Sequence, residues 1–215
     1  MQAAQKSRQL SSVIVATDDR RISEAVRRYG GQVFLSENEH ATGSDRVAEA
    51  ASRLECDFVL NIQGDEPFLS SDVIDAVIGA LDKETVVMSS ACSPLGNSGE
   101  ADNPNVVKVV LDKNGDALYF SRSRIPYNLP GVAAAPVYRH IGIYGFKRDF
   151  LLKFASLERT PLEISENLEQ LRALEHGYKI RVITVKSEFV GIDSADDLPK
   201  AERILNQWVM RNDKS

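Results

Sequence analysis

Asp57-Phe58-Val59-Leu60-Asn61-Ile62-Gln63-Gly64-Asp65-Glu66-Pro67 decides how this chain is read. Asp57 to Leu60 opens a short apolar run that reads as a buried strand. Gly64 frees the backbone where the strand ends, and Pro67 stops any continued ladder. Between them stand two acids with no basic neighbour. In an open α/β sheet, ligands collect outside the carboxyl ends of the strands. Asp65 is therefore placed to hold a divalent cation against a phosphate. Hard oxygen ligands of this kind suit magnesium. A plain polar turn with a solvated acid pair fits the same residues.

Outward from this stretch, strand-like and helix-like runs alternate at short spacing. Val13 to Thr17 and Gln32 to Leu35 read as strands, with a helix from Arg20 to Tyr29 between them. That helix should turn Ile22, Ala25 and Val26 inward. Ser44 or Asp45 can cap the next helix, which carries Val47, Ala48, Ala51 and Leu54 toward the core. After Pro67 comes a helix with the stripe Val73, Ile74, Val77, Ile78 and Leu81, then a strand from Thr85 to Ala91. Such alternation argues for an α/β fold with a mostly parallel sheet and right-handed crossovers.

After Cys92 the rhythm changes. Asn105 to Leu111 and Ala117 to Ser121 flank Asp112-Lys113-Asn114-Gly115-Asp116, and Asn-Gly between two strand-like runs signals a β-hairpin. Ile125 to Pro136 reads as a loop and Tyr138 to Phe146 as a strand. A short helix covers Asp149 to Phe154. Pro161 opens one longer helix running to His176, and Lys179 to Val185 is a strand. Ser194 starts the last helix. No linker divides the chain, so residues 1–215 read as one domain with the hairpin as an excursion.

The totals exclude several classes. The 215 residues carry a net charge of −5, which argues against nucleic-acid binding through a broad basic face. Cys56 and Cys92 share no metal-type spacing and suit a reducing cytoplasm. Met1 to Leu10 lacks an apolar signal core, and no run reaches bilayer length. The expectation is a cytoplasmic protein with no membrane partner.

Several constellations bear chemistry. Phe189-Val190-Gly191-Ile192-Asp193-Ser194 repeats the pattern around Asp65: an apolar run, a glycine, an acid, a helix start. Two carboxylates at two strand ends can share one metal, although Asp193 or Ser194 can equally cap the last helix. Arg122, Arg124, Arg139 and His140 form a basic cluster in an acidic chain. Arginine forks match carboxylates, so a small acidic sugar can sit there; surface ion pairs explain them as well. Glu169 and Gln170 lie just off a Leu168, Leu171, Leu174 stripe and can bond sugar hydroxyls or simply meet solvent. There is no nucleophile elbow and no zinc spacing.

These stretches, taken in order, resemble one family across nearly the whole chain: the 3-deoxy-manno-octulosonate cytidylyltransferases, or CMP-KDO synthetases. The pieces that carry the resemblance are Ile14-Val15-Ala16-Thr17-Asp18-Asp19, Thr42-Gly43-Ser44-Asp45-Arg46, Asn61 to Pro67, Asn103-Pro104-Asn105-Val106-Val107-Lys108, Tyr119-Phe120-Ser121-Arg122, Arg139 to Gly145, Leu168-Glu169-Gln170-Leu171-Arg172 and Gly191-Ile192-Asp193-Ser194. The resemblance implies a sugar-nucleotide transferase fold of Rossmann-like type and a homodimer partly built by the hairpin. It implies transfer of CMP from CTP to 3-deoxy-D-manno-octulosonate (KDO), with release of pyrophosphate, for lipopolysaccharide synthesis. Asp65 and Asp193 match the family's magnesium-binding aspartates. Gly43, Ser44, Arg46 and Gln63 match nucleotide contacts. Arg122, His140, Tyr144, Glu169 and Gln170 match positions that hold the sugar acid.

The family also opens with a strand and a P-A-R-x-x-S-x-R-L-P-x-K-P-L loop that grips the CTP phosphates. That pattern is absent here, so the chain reads as N-terminally truncated and is expected to turn over weakly or not at all. Two alternatives stand beside the main reading. One is a cytidylyltransferase for a related acidic sugar, 8-amino-KDO or a sialic acid. The other is a non-catalytic dimer that binds the sugar acid only.

Overall fold

In the computed structural model, residues 2–64, 66, 69–96 and 99–186 are described. One strand organises the sheet. β7 (Val137–Lys147) is almost entirely buried and pairs along its whole length. On one side lies β4 (Met88–Leu95), antiparallel to it. On the other side lie β3 (Phe58–Ile62), against residues 143–147, and β5 (Lys108–Leu111), against residues 138–139. β5 continues into the predicted hairpin with β6 (Ala117–Ser121), and β8 (Arg181–Thr184) runs parallel to β4 at the far edge. β3, β4, β5 and β8 therefore share one direction, and β6 and β7 oppose it. The fold is α/β with mostly parallel strands, and the antiparallel β7 is threaded between them.

The hairpin forms as its residues dictate. Asp112 accepts from the backbone N–H of Asn114 and Asp116, and Gly115 takes φ +82 to close the turn. Helix α4 (Ser71–Gly79) buries the expected stripe, with Val73, Ile74, Val77 and Ile78 all covered. It lies close against the sheet because β7 carries glycine at 145. A Cβ there would collide with Ser89 Oγ and press on Leu81 and Val77 at 3.2 Å. Gly145→Ala is accordingly expected to cost about 1–3 kcal/mol through overpacking, read by urea denaturation. A change below about 0.5 kcal/mol would contradict this packing. On the opposite face, α5 (Arg148–Ser156) brings Phe150 and Phe154 onto Phe146 and Tyr144 in the main core.

β1 (Ile14–Thr17) and β2 (Gln32–Leu35) pair in parallel but form a separate two-stranded sheet. Helix α3 (Gly43–Ser52) packs against both β1 and β3. Between the two strands opens a cleft of ≈1720 Å³ lined by Ile14 to Thr17 and Phe58 to Ile62. This cleft explains one departure from expectation. Ile22 of α2 (Arg20–Arg28), expected inward, is 48% exposed and borders the opening, as do Leu54 and Phe58; Ala25, also expected inward, is exposed as well.

Three further expectations are corrected. The cap of α3 is Thr42, whose Oγ1 accepts from Asp45 N–H, rather than Ser44 or Asp45. The helix expected from Pro161 to His176 is broken into α6 (Pro161–Glu166) and α7 (Leu171–Glu175). Asn167 takes the left-handed conformation, φ 51, which asparagine tolerates better than most residues. The break leaves Leu168 to Gln170 outside both helices. The strand expected from Thr85 to Ala91 begins and ends later, at Met88 and Leu95. The helix expected from Ser194 lies outside the described residues.

Candidate active site

Two cavities meet at one wall. The smaller is a cup of ≈290 Å³. Its lining includes Arg122, delivered where β6 ends; His140 and Tyr144, delivered by β7; and Glu169 and Gln170, delivered by the break between α6 and α7. All five residues matched to sugar-acid positions are thus brought together from three distant segments. The larger cavity is the cleft between β1 and β3, which Gly43, Arg46 and Gly64 line. Gln63 and Glu66 line both. Asp65, which falls between Gly64 and Glu66 in sequence, and Asp193 both lie outside the described residues. Among the described residues no group of three or more His, Cys, Asp and Glu converges as a metal site.

His140 sits in the floor of the cup, edge-on to Phe120 at 5.0 Å and beside Tyr144 at 5.3 Å. Burial, with Arg139 adding to it, pushes its pKa down to about 3, so the ring is neutral. Ser90 Oγ donates to Ile143 O at 2.8 Å and so has no second proton to give. The bond of 2.9 Å between Ser90 Oγ and His140 Nε2 is then donated by the imidazole. That network assigns the Nε2–H tautomer and leaves Nδ1 as an acceptor.

Gln170 is equally constrained. Tyr144 OH donates to its Oε1 at 2.9 Å, which orients the amide. Its Nε2 is buried without a hydrogen-bond partner, a donor that a ligand oxygen would satisfy. Glu169 is held by both oxygens: Ser44 Oγ donates to one at 2.7 Å and Ser44 N–H to the other at 3.2 Å. Asn61 Nδ2 in turn donates to Ser44 Oγ at 3.1 Å. Ser44, matched to a nucleotide contact, is thus buried and engaged with Glu169 and Asn61. A carboxylate bound this way keeps lone pairs free for hydroxyl donors.

Arg122 is fixed by carbonyls. Its Nε donates to Glu166 O at 2.7 Å and its Nη1 to Pro104 O at 3.1 Å. Arg124 points elsewhere, to an exposed ion pair with Asp102 at 3.2 Å, so the plain surface reading holds for it. Arg46 spans the cleft mouth to Asp18 at the end of β1, at 2.7 Å, and its Nε is buried without a partner. At the wall shared by the cavities, Gly142 N–H donates to Glu66 at 3.1 Å, and a Cβ at Gly142 would meet Gln63 Oε1 at 2.9 Å. Glycine there lets the Gln63 side chain lie flat across β7.

The arrangement is a small polar cup, with fixed donors and acceptors, opening onto a cleft large enough for a nucleotide. A family model described as cytidylyltransferase matches residues 1–180. The chain belongs to the cytidylyltransferase family. A 3-deoxy-manno-octulosonate cytidylyltransferase of Geobacter metallireducens is 44% identical over 210 residues, covering 93% of this chain and 83% of the relative. Another, from Solibacter usitatus, is 43% identical, covering 94% and 81%. Among solved structures, a CMP:2-keto-3-deoxy-manno-octonic acid synthetase complexed with CTP superposes with a TM-score of 0.88 at 35% identity, covering 96% of this chain and 85% of the other. A 4-diphosphocytidyl-2C-methyl-D-erythritol synthase of Anaerococcus prevotii, TM-score 0.60 at 13% identity, shares the fold.

In this cytidylyltransferase the sequence reading missed two residues that stand behind the cup and hold the segment carrying Arg122. Glu166 gathers Ser121 Oγ at 2.6 Å, Arg122 N–H at 2.9 Å and Tyr119 OH at 3.3 Å. Burial raises its pKa, and these donors more than reverse that, so its carboxyl lies below the usual range. Lys108 is fully buried, with Nζ on the carbonyls of Asn103, Val106 and Arg122. A lysine in a strand-like run, Val106 to Leu111, is the signal that such a role leaves in sequence.

Proposed function

We propose that this chain transfers CMP from CTP to KDO and releases pyrophosphate. The observation that carries this reading is the cup, where Arg122, His140, Tyr144, Glu169 and Gln170 converge beside a nucleotide-sized cleft. The sugar lies in the cup, its carboxylate toward the arginines and its hydroxyls on Glu169, Gln170 Nε2 and His140 Nδ1. CTP lies in the cleft, along Gly43, Arg46 and Gln63. The anomeric hydroxyl attacks the α-phosphorus in line and pyrophosphate departs. Such a reaction needs positioning and charge neutralisation more than a protein nucleophile. A neutral His140 fits a binding role, because it cannot hold a proton for exchange near pH 7.

Magnesium belongs to the proposal, held by Asp65 and Asp193; such an ion clamps phosphates and lowers the pKa of a bound hydroxyl. Cytoplasmic residence is supported by two free thiols, with burial pushing Cys92 up to about 11. Among the described residues, no helix is long and apolar enough to cross a membrane. The product would enter lipopolysaccharide synthesis. The direct test is CTP- and magnesium-dependent pyrophosphate release with KDO, 8-amino-KDO and a sialic acid. KDO is expected to give the largest release above the sugar-free background. Equal release without sugar, or a preference for either rival, overturns the reading.

The proposal includes a homodimer. Leu118, Tyr127, Leu129 and Val132, on β6 and the loop after it, are 63%, 80%, 62% and 62% exposed. A second copy covering them would remove a large apolar patch from water. Light scattering is expected to give a dimer for the parent and a monomer for Leu118→Asp with Leu129→Asp. A monomeric parent, or an unchanged dimer in the variant, contradicts this.

A further inference from the structure

We infer that Arg172 is a positioning residue that fixes the two walls of the cup to each other through Asp45. Arg172 lies in α7, and only 2% of its side chain is exposed. Its fork closes on Glu163 of α6, Nε at 2.9 Å and Nη2 at 2.7 Å. Its remaining nitrogen, Nη1, reaches Asp45 Oδ1 at 3.0 Å and Phe154 O at 3.4 Å, and the guanidinium lies over the Phe154 ring at 4.7 Å. One side chain therefore ties α7 to α6, to α5 and to the first turn of α3.

The consequence for the site comes from neighbours in sequence. Asp45 follows Ser44 directly, and Arg172 stands two residues after Gln170. Clamping Asp45 to Arg172 sets the distance at which Ser44 meets the Glu169 carboxylate, and Asn61 of β3 closes the same chain of bonds. Glu169 and Gln170 sit outside both helices, so α6 and α7 alone do not fix where their side chains point. Arginine suits the task because a planar fork serves Glu163 while its third nitrogen still reaches Asp45; lysine offers no such geometry.

Asp45 is the informative position, since removing Arg172 itself would strand Glu163, 1% exposed, without its main partner. Asp45→Ala removes the acceptor, and Asp45→Asn keeps an oxygen for Nη1. KDO affinity, measured by calorimetry, is expected to fall roughly tenfold in Asp45→Ala, the size of a coupling between contacting residues, and to recover in Asp45→Asn. Because the effect runs through Glu169, adding Asp45→Ala to Glu169→Gln should cost no further affinity. Losses that multiply in the double variant overturn the inference.

The inference rests on the sugar-acid reading only in that affinity measurement. If the parent binds no KDO, that reading fails and melting temperatures decide the positioning role instead. Ser44→Ala and Glu169→Gln should then be non-additive in the parent and additive in the Asp45→Ala background. Equal coupling in both backgrounds overturns the inference.

Discussion

Glu163→Ala is expected to destabilise the chain by about 3–5 kcal/mol, the cost of leaving a buried charge without its partner. Glu163 is buried by the fork of Arg172, and Arg159 Nε adds a bond at 3.0 Å. Burial pushes the Glu163 pKa up, and the bonds from Arg172 and Arg159 outweigh it, so the carboxyl is held low. The same partnership holds the Arg172 guanidinium above its ordinary range against burial. The alanine variant keeps Asp45 on one nitrogen but leaves the fork inside the protein. Replacing both members, Glu163→Leu with Arg172→Met, should cost less than Glu163→Ala alone, because no bare charge remains. Urea denaturation checks both. A Glu163→Ala change below about 1 kcal/mol would mean that water reaches the pair.

His140 should make the protein lose stability on mild acidification. Its imidazole stays neutral in the fold down to about pH 3 and takes a proton near 6.5 when unfolded. Between those limits the unfolded chain binds more protons, so stability falls as pH falls. The contribution is intact above pH 6.5 and declines at up to about 1.4 kcal/mol per unit below it, roughly 3 kcal/mol by pH 4.5. Arg139 beside the ring works in the same direction. The depressed carboxyls of Glu49, Glu163 and Glu166 lose their contributions lower on the scale, as pH falls below the ordinary carboxylate range. The difference between parent and His140→Gln unfolding curves from pH 7 to 5 therefore isolates this histidine. His140→Gln, whatever its constant offset, should flatten that limb. A parent and variant with parallel pH profiles would show that His140 titrates alike in both states.

Local signals were legible in the sequence. Asp112 to Asp116 announces its hairpin and the Val73 to Ile78 stripe announces α4; the five positions that the resemblance matched to the sugar acid line one cavity. Asn167 was not legible as a break, because the helical spacing of Ile164, Leu168, Leu171 and Leu174 continues across its left-handed turn. The buried charges were not legible either. Asp45 and Arg172 stand 127 positions apart, and nothing in the helix-like run after Pro161 marks Glu163 as buried. Ser44 and Glu169, read as contacts for two different substrates, bond to each other because the first turn of α3 meets the break between α6 and α7. Periodicity reports which face is apolar; it carries no information about which buried charges pair across elements.

The assignment of the cup to the sugar acid is tested by a calorimetric titration of KDO into the chain, alongside Gln170→Leu. That substitution is near in size but removes the buried Nε2 donor and the acceptor for Tyr144. Saturable binding of one KDO per chain is expected, weakened roughly tenfold or more in the variant, as when a buried polar group loses its partner. No saturable heat with the parent, or equal affinity in both proteins, would contradict the assignment of the cup to the sugar acid.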